Sequence, residues 1–391
     1  MEIYALDALW RRVTVVDRFQ SLIWTERFKD VGDFELVLPA TLANRAIFTA
    51  GTNLAINESH RVMTVNEVSD ETSDDGKRTL TVKGNSIEEI LKDRVARGSM
   101  ASTTTAPKWA LTGTAGAIMR KIFHDICVTG ILDPADVIPS VIEDNIMFPD
   151  DTIPEPDTSL SVEIEPTTVF DAIKNLADLY DLGFRLVRNY DTGQLYFDVY
   201  SGCDRTTLNG LLEPVLFSPG LDNIQNTAGI TTTKDSKNCA YVISPVGYRV
   251  VYPSGVDPSV EGFERKVLLV NASDITSTTP SVANALMDQR GLEELAKYRS
   301  LSAFDGEIGQ RTQYKYGADY NLGDIVELRD DQGVAVNMRV IEQIMVSDEQ
   351  GERSYPTLAL NQYINPGSWL AWDFNQKWAD MGLTDYWSTA G

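Results

Sequence analysis

Apolar and polar positions alternate strictly from Phe34 to Leu38. Phe34, Leu36 and Leu38 point one way, Glu35 and Val37 the other. A period of two over five residues predicts a half-buried strand. Gly32-Asp33 precedes it as a turn signal, and Pro39 ends it because proline has no N–H to give a ladder. The same Gly-Asp entry into alternation recurs far downstream, at Gly323-Asp324-Ile325-Val326-Glu327-Leu328. Around the first of these strands, β-branched or alternating runs at 3–8, 13–16, 19–24, 53–56, 62–68 and 79–82 predict further strands. Seven short strands in so little chain predict a small barrel or sandwich.

The period changes at Ser86. Ser86-Ile-Glu-Glu89 matches a capping box, and Ile87, Ile90 and Leu91 share a helical face. A Ser/Thr-rich stretch at 98–105 reads as a loop. A second helix is predicted over 114–127, where Ile118, Ile122 and Ile126 recur at four-residue spacing. Residues 133–156 are rich in Asp and Pro, carry no period and read as an extended loop. The strongest stripe, Val169, Phe170, Ile173, Leu176, Ala177 and Tyr180, predicts a helix over 168–181, capped by Thr168 with Asp171 and ended by Gly183. A hairpin follows, with strands 183–188 and 195–200 around a turn at 191–193.

Strand patterns return at 226–233, 238–244, 248–252 and 266–270, and again at 313–316, 324–329, 334–346 and 355–362. A long helix, 280–300, interrupts them. Its mid-helix Gly291 either bends it or allows a close contact. The last stretch differs in kind. Four of the seven tryptophans, Trp369, Trp372, Trp378 and Trp387, fall within 365–391, and Leu370, Phe374, Trp378 and Met381 form one helical stripe there. Such a segment folds back on its own domain or docks a partner, since aromatic anchors dominate interfaces. Trp369, Trp372, Phe374, Trp378 and Trp387 are its docking candidates. The pattern as a whole predicts an α+β fold, mainly β. A first barrel-like domain spans 1–85, an inserted α+β region 86–214, a second barrel-like domain 215–365, and the Trp-rich segment 366–391.

Charge narrows the function. Fifty-seven acidic residues against 34 basic give a net charge of −23. That excludes a sequence-independent nucleic-acid binder, which needs Lys and Arg to displace counterions, and opposes docking on an anionic membrane. It suits solubility, or a surface that repels DNA and lets it slide past. The amino terminus has no signal-peptide pattern and no apolar run approaches a membrane span, so a soluble protein made in the cytoplasm is expected. Cys127, Cys203 and Cys239 are scattered and read as small buried hydrophobes.

The search for chemistry returns little. The only histidines are His60 and His124, and no nucleophile elbow, zinc-protease motif or phosphate loop is present. Cys127 follows His124 by three residues, a spacing that reads as a core cysteine beside an ordinary helix residue. Asp144, Asp150, Asp151, Glu155 and Asp157 could hold a glycosidase pair or a calcium ion. They lack an aromatic platform and the spacing of a calcium loop, and read as solvated charge. No catalytic, cofactor-binding or metal residue is assigned.

The order of several stretches carries a resemblance. Asp17-Arg-Phe-Gln-Ser-Leu-Ile-Trp24 with Gly32-Asp-Phe-Glu-Leu-Val-Leu-Pro39 resembles the amino-terminal region of siphophage minor tail proteins of the tail tip, relatives of baseplate hub proteins. The likeness continues through the helix and hairpin from Thr167 to Leu216-Phe-Ser-Pro-Gly-Leu-Asp-Asn223 and ends at Tyr320-Asn-Leu-Gly-Asp-Ile-Val326. It covers about residues 1–365 and leaves out the Trp-rich segment. It implies a non-enzymatic structural hub in the virion: a homotrimeric ring giving two barrel domains per chain to a six-fold tail tube. Its partners would be the tube or distal tail protein above and tip or fibre proteins below, with DNA passing through unbound. The residues alone also leave open a receptor-binding carbohydrate module, through the terminal tryptophans, and a tail-borne cell-wall hydrolase.

Overall fold

A computed structural model describes residues 1–360 apart from 17, 73–75, 98–107, 143–152, 158, 190–192, 222, 224, 233–235, 254–255, 274, 277–278, 297, 299–300, 308–313 and 330–334. The chain forms two compact units. One comprises Met1–Thr232 with Leu301–Leu360, and the other contains Thr233–Ser300.

In the first unit the amino-terminal strands form where alternation placed them. Ile3–Leu6, Arg12–Val16, Ser21–Arg27, Asp33–Pro39, Asn53–Ile56, Met63–Thr72 and Arg78–Ser86 pair antiparallel with their neighbours. Phe34, Leu36 and Leu38 enter one core with Trp24, Leu22, Ile56 and Val82. A short helix, Leu42–Ile47, joins this set; Thr41 Oγ1 caps it by accepting from the Asn44 N–H.

No closed barrel is found among the described residues, where the two strand-rich regions share one sheet. Eleven strands of this sheet follow an open path, and Ile325–Arg329 with Leu216–Phe217 branches from it. The join is the strand Ala335–Asp348, fourteen residues long. Along one edge its first part pairs with Ile325–Arg329, and Glu342 to Ser347 then pair with Arg27 to Leu22. Its ladder with Gly351–Leu360 shifts register between Val340 and Glu342, where the edge changes partner. At the switch the Phe28 N–H donates to the Ile341 carbonyl at 2.9 Å. A β-bulge bends a strand, so one long strand serves two cores. Met345 lies in the amino-terminal core; Met338 and Val340 pack with Phe217, Tyr320 and Val326 in a second. Leu301–Glu307, a strand the sequence pattern did not show, continues the sheet beyond Gly351–Leu360.

The inserted region packs on the back of the amino-terminal strands. Ile3 and Ala5 point into the first core while Tyr4 and Leu6 point into the insert's core, so Ile3–Leu6 is buried on both faces. There they meet Phe123, Ile173, Phe184 and Leu195. The helix Val169–Tyr180 begins as expected, with Thr168 Oγ1 accepting from the Asp171 N–H. Its end differs: Asp181, at φ 55°, is the left-handed cap, and Gly183 already opens the strand Gly183–Arg188. That strand pairs with Leu195–Tyr200 as predicted. Ala115–Phe123 is a helix that runs on into a wider turn, His124–Val128. Within the expected loop at 133–156, Val141–Ile142 pairs in parallel with Leu195 and Tyr196.

The predicted capping box is not made. Ile87–Asp93 is a 3₁₀ turn, and Ser86 Oγ accepts instead from the Gly32 N–H at 2.8 Å. Gly32 has no room for a side chain: a Cβ there would lie 2.4 Å from the Thr25 carbonyl oxygen. The two Gly-Asp pairs also do different work. Asp33 meets Arg27 at 2.5 Å on a half-exposed surface. Asp324 is buried and accepts from the Cys203 and Asn321 N–H groups and from Arg205 Nε.

In the second unit Cys239–Ser244 lies between Gly247–Val251, antiparallel, and Val267–Asn271, parallel. Helix Pro280–Ala296 covers one face, with Ala283, Met287 and Leu295 against Ala240, Val242, Val251 and Val270. Gly291 serves close contact: a Cβ there would lie 2.8 Å from Val251 Cγ2 and 2.9 Å from Val242 Cγ2. Arg249 clamps the helix through a two-pronged pair with Asp288, at 2.6 and 2.7 Å.

Candidate functional site

The first unit holds a charged centre with no access to solvent. Arg61 is buried beside Glu88 (Nη1 to Oε1, 3.2 Å) and Glu26 (Nε to Oε2, 3.9 Å). Its Nη2 donates to the Arg27 carbonyl at 2.8 Å. Glu26 also accepts from Trp24 Nε1 at 3.0 Å, from Ser59 Oγ and from the Tyr316 hydroxyl at 2.7 Å. Glu88 accepts from the Leu186 N–H at 2.8 Å. Five separated parts of the chain thus meet on two carboxylates and one guanidinium. Burial opposes the charge on Arg61, but the facing Glu88, Tyr200 and Glu26 outweigh it and hold the guanidinium above its ordinary range. Burial, then Glu26, keeps the Tyr316 phenol far above its usual value; burial also raises Tyr200.

A second charged contact ties the helical insert to the sheet. Asp181, on its left-handed cap, takes Lys29 Nζ at 2.5 Å and Arg339 Nη2 at 2.9 Å. The Arg339 guanidinium sits 5.2 Å from the centre of the Phe28 ring. Burial pushes the Lys29 amine down, and Asp181 opposes that shift. A buried ion pair adds little net stability, but removing one partner is costly. These clusters therefore fix which parts of the chain can meet.

Among the described residues the sequence-derived chemical candidates do not converge. Cys127 is fully buried, and burial pushes its thiol up to about 12, far from a reactive thiolate. His124 Nδ1 lies 3.1 Å from its neighbour Asp125. Cys203 and Cys239 are buried thiols outside any disulfide. Glu155 is held by Arg120, whose Nη1 donates at 3.0 Å. Asp144, Asp150, Asp151 and all five docking candidates, Trp369, Trp372, Phe374, Trp378 and Trp387, lie outside the described residues. Among the described residues no group of carboxylates, histidines and cysteines is placed to hold a metal ion, and no helix is long and apolar enough to cross a membrane.

Apolar side chains are exposed in both units. In the first unit, Leu208 and Leu211 project from a loop whose base is tied down. Thr207 Oγ1 donates to Glu327 at 2.5 Å and Asn209 Nδ2 to the Asp204 carbonyl at 2.7 Å. In the second unit, the sheet face opposite the helix carries Ile243, Tyr248 and Leu269. The sequence did not single out either one, because isolated leucines in a loop have no period. A strand that is apolar throughout does not reveal which face is covered.

The model of the family described as Siphovirus ReqiPepy6 Gp37-like protein matches residues 1–358. The chain belongs to that family. The resemblance to siphophage tail proteins read from the ordered motifs holds over nearly the whole length. Solved structures of tail proteins share the fold. The tail protein from Neisseria meningitidis MC58 matches at 16% identity and a TM-score of 0.55, over 92% of this chain and 96% of that one. The 43 kDa tail protein of prophage MuSo2 from Shewanella oneidensis matches at 14% and 0.56, over 92% and 98%. Prophage tail protein gp18 from Listeria monocytogenes EGD-e matches at 14% and 0.50, over 93% and 96%. No curated protein sequence matches. This Gp37-like chain shares the fold of those tail proteins.

Proposed function

We propose that this tail protein is a structural hub of the tail tip, a trimeric ring that joins the tail tube to tip or fibre proteins and surrounds the DNA exit channel. The observation that carries the reading is the shared strand Ala335–Asp348, which sets the amino-terminal and carboxy-terminal strand regions side by side in one sheet. A chain with two adjacent β modules, repeated three times, offers six similar surfaces to a six-fold tube. The buried clusters around Arg61 and Asp181 suit a part that must hold its shape under load. The net charge of −23 suits a conduit that DNA passes without binding.

Gold labelling of tails with antibody to this chain tests the placement. The expected result is label confined to the tail tip, with amber mutants of this gene giving no joined tube and tip. Label along the tube, or complete tails without the protein, would refute it.

A further inference from the structure

Among the described residues, the sheet of the second unit has one face covered by a helix and one that carries exposed apolar side chains. Its central strand, Cys239-Ala-Tyr-Val-Ile-Ser244, is apolar at successive positions rather than alternate ones, and it pairs in parallel with Val267–Asn271. Continuous apolar strands and parallel pairing mark sheets covered on both sides. Helix Pro280–Ala296 covers the side of Ala240 and Val242. On the other side, Tyr241 is in register with Leu269, and Ile243 with Tyr248. There Leu269 is 71% exposed, Tyr248 70% and Ile243 49%. Among the described residues these three side chains stay exposed, while Arg265 lies 5.9 Å from the Tyr241 ring centre.

We propose that residues 366–391 of the same chain cover that exposed face, laying the stripe Leu370, Phe374, Trp378 and Met381 across Tyr241, Ile243, Tyr248 and Leu269. Three observations choose this occupant. The first is delivery. Ala359 pairs with Ala303, and Leu301 pairs with Thr232, so the chain leaves its last strand at the sheet end from which 233–300 is strung. The second is fit. A helix over 368–382 would be about 20 Å long, and the strands beneath it, five or six residues each, are about 17–20 Å long. The third is pattern. The segment carries one apolar stripe, as a helix covering a sheet needs. The family match ends at residue 358, before this segment begins.

The test is a photo-crosslinker, p-benzoylphenylalanine, placed at Trp378 in the full chain. It is irradiated in an equal mixture of light and isotope-heavy protein and mapped by mass spectrometry. The expected links join the 366–391 peptide to the peptides holding Ile243, Tyr248 or Leu269, within chains of one isotope. Leu269→Asp, at an exposed position that tolerates charge for folding, should cut their yield roughly tenfold, because the aspartate would have to be desolvated. Links between light and heavy chains would mean that a second copy owns the face. Links confined to the other unit, or a yield unmoved by Leu269→Asp, would equally overturn the proposal. None of these outcomes depends on where in the tail the protein sits.

Discussion

Arg27 and Glu342, 315 positions apart in the sequence, are direct partners in one β-ladder, with Arg27 Nε 2.7 Å from Glu342 Oε2. The pair marks the seam at which the amino-terminal strands meet the strand shared with the carboxy-terminal core. Both side chains are partly exposed, so their coupling should be small, under about 1 kcal/mol in a double-mutant cycle of Arg27→Ala and Glu342→Ala. The seam's stability lies one layer down. Trp24, in register with Met345 and fully buried, should cost about 3–5 kcal/mol when cut to alanine. Urea unfolding of the four variants checks both values. A Trp24→Ala loss no larger than that of Arg27→Ala would place the seam's stability elsewhere.

Leu36→Asp buries an unpaired carboxylate among Leu22, Trp24, Phe34 and Val82. That penalty rivals the whole stability of a domain, about 5–15 kcal/mol. The variant should be insoluble or lack a cooperative thermal transition. Soluble protein melting like the parent would show that the strand faces the other way.

Arg61→Met should be severe for a different reason. It leaves Glu26 and Glu88 buried without their shared cation, a loss of about 3–5 kcal/mol. Pairing it with Glu88→Gln should recover part of that loss. Chemical denaturation of the single and double variants reads the difference, and additive losses would show that the two residues act independently.

Alkaline stability follows from the phenols. Tyr316 and Tyr200 ionise at higher pH in the folded protein than in the unfolded chain, where the ordinary value is about 10. Their contribution is therefore complete below pH 10 and is lost as pH rises above it, because the unfolded chain then releases protons the fold retains. The melting temperature should fall above about pH 10, less steeply in Tyr316→Phe. Phenolate absorbance of the parent should show a fraction of tyrosines that titrate only on unfolding. Free titration of every tyrosine below the unfolding pH would contradict the burial of this pair.

Local pattern was legible and long-range pairing was not. The alternation at Phe34, Leu36 and Leu38 placed a strand and its core face correctly, as did the hairpin from Gly183 to Tyr200, because each signal lies within a few residues. The seam left no trace, since nothing in the spacing of Ser21–Arg27 says that Ala335–Asp348 will pair with it. Two barrel-like domains are expected from the pattern; among the described residues the two strand-rich regions share one joined sheet. Glu89 was chosen as a cap, but Glu88 is the buried carboxylate, and only the position of Arg61 and the Leu186 N–H decides between them. Asp181 took the left-handed cap expected near Gly183 because Lys29 and Arg339 hold its carboxylate there. The exposed apolar surfaces were the least legible of all, since exposure is a property of the folded unit.

The most direct test of the hub reading is the mass of the assembly. Sedimentation equilibrium or native mass spectrometry should be run on the full chain alone and mixed with the tail-tube protein of the same phage. The expected species has three times the 43.4 kDa chain mass, alone or on the tube protein. A stable monomer at high concentration that also fails to assemble in the mixture would contradict the ring.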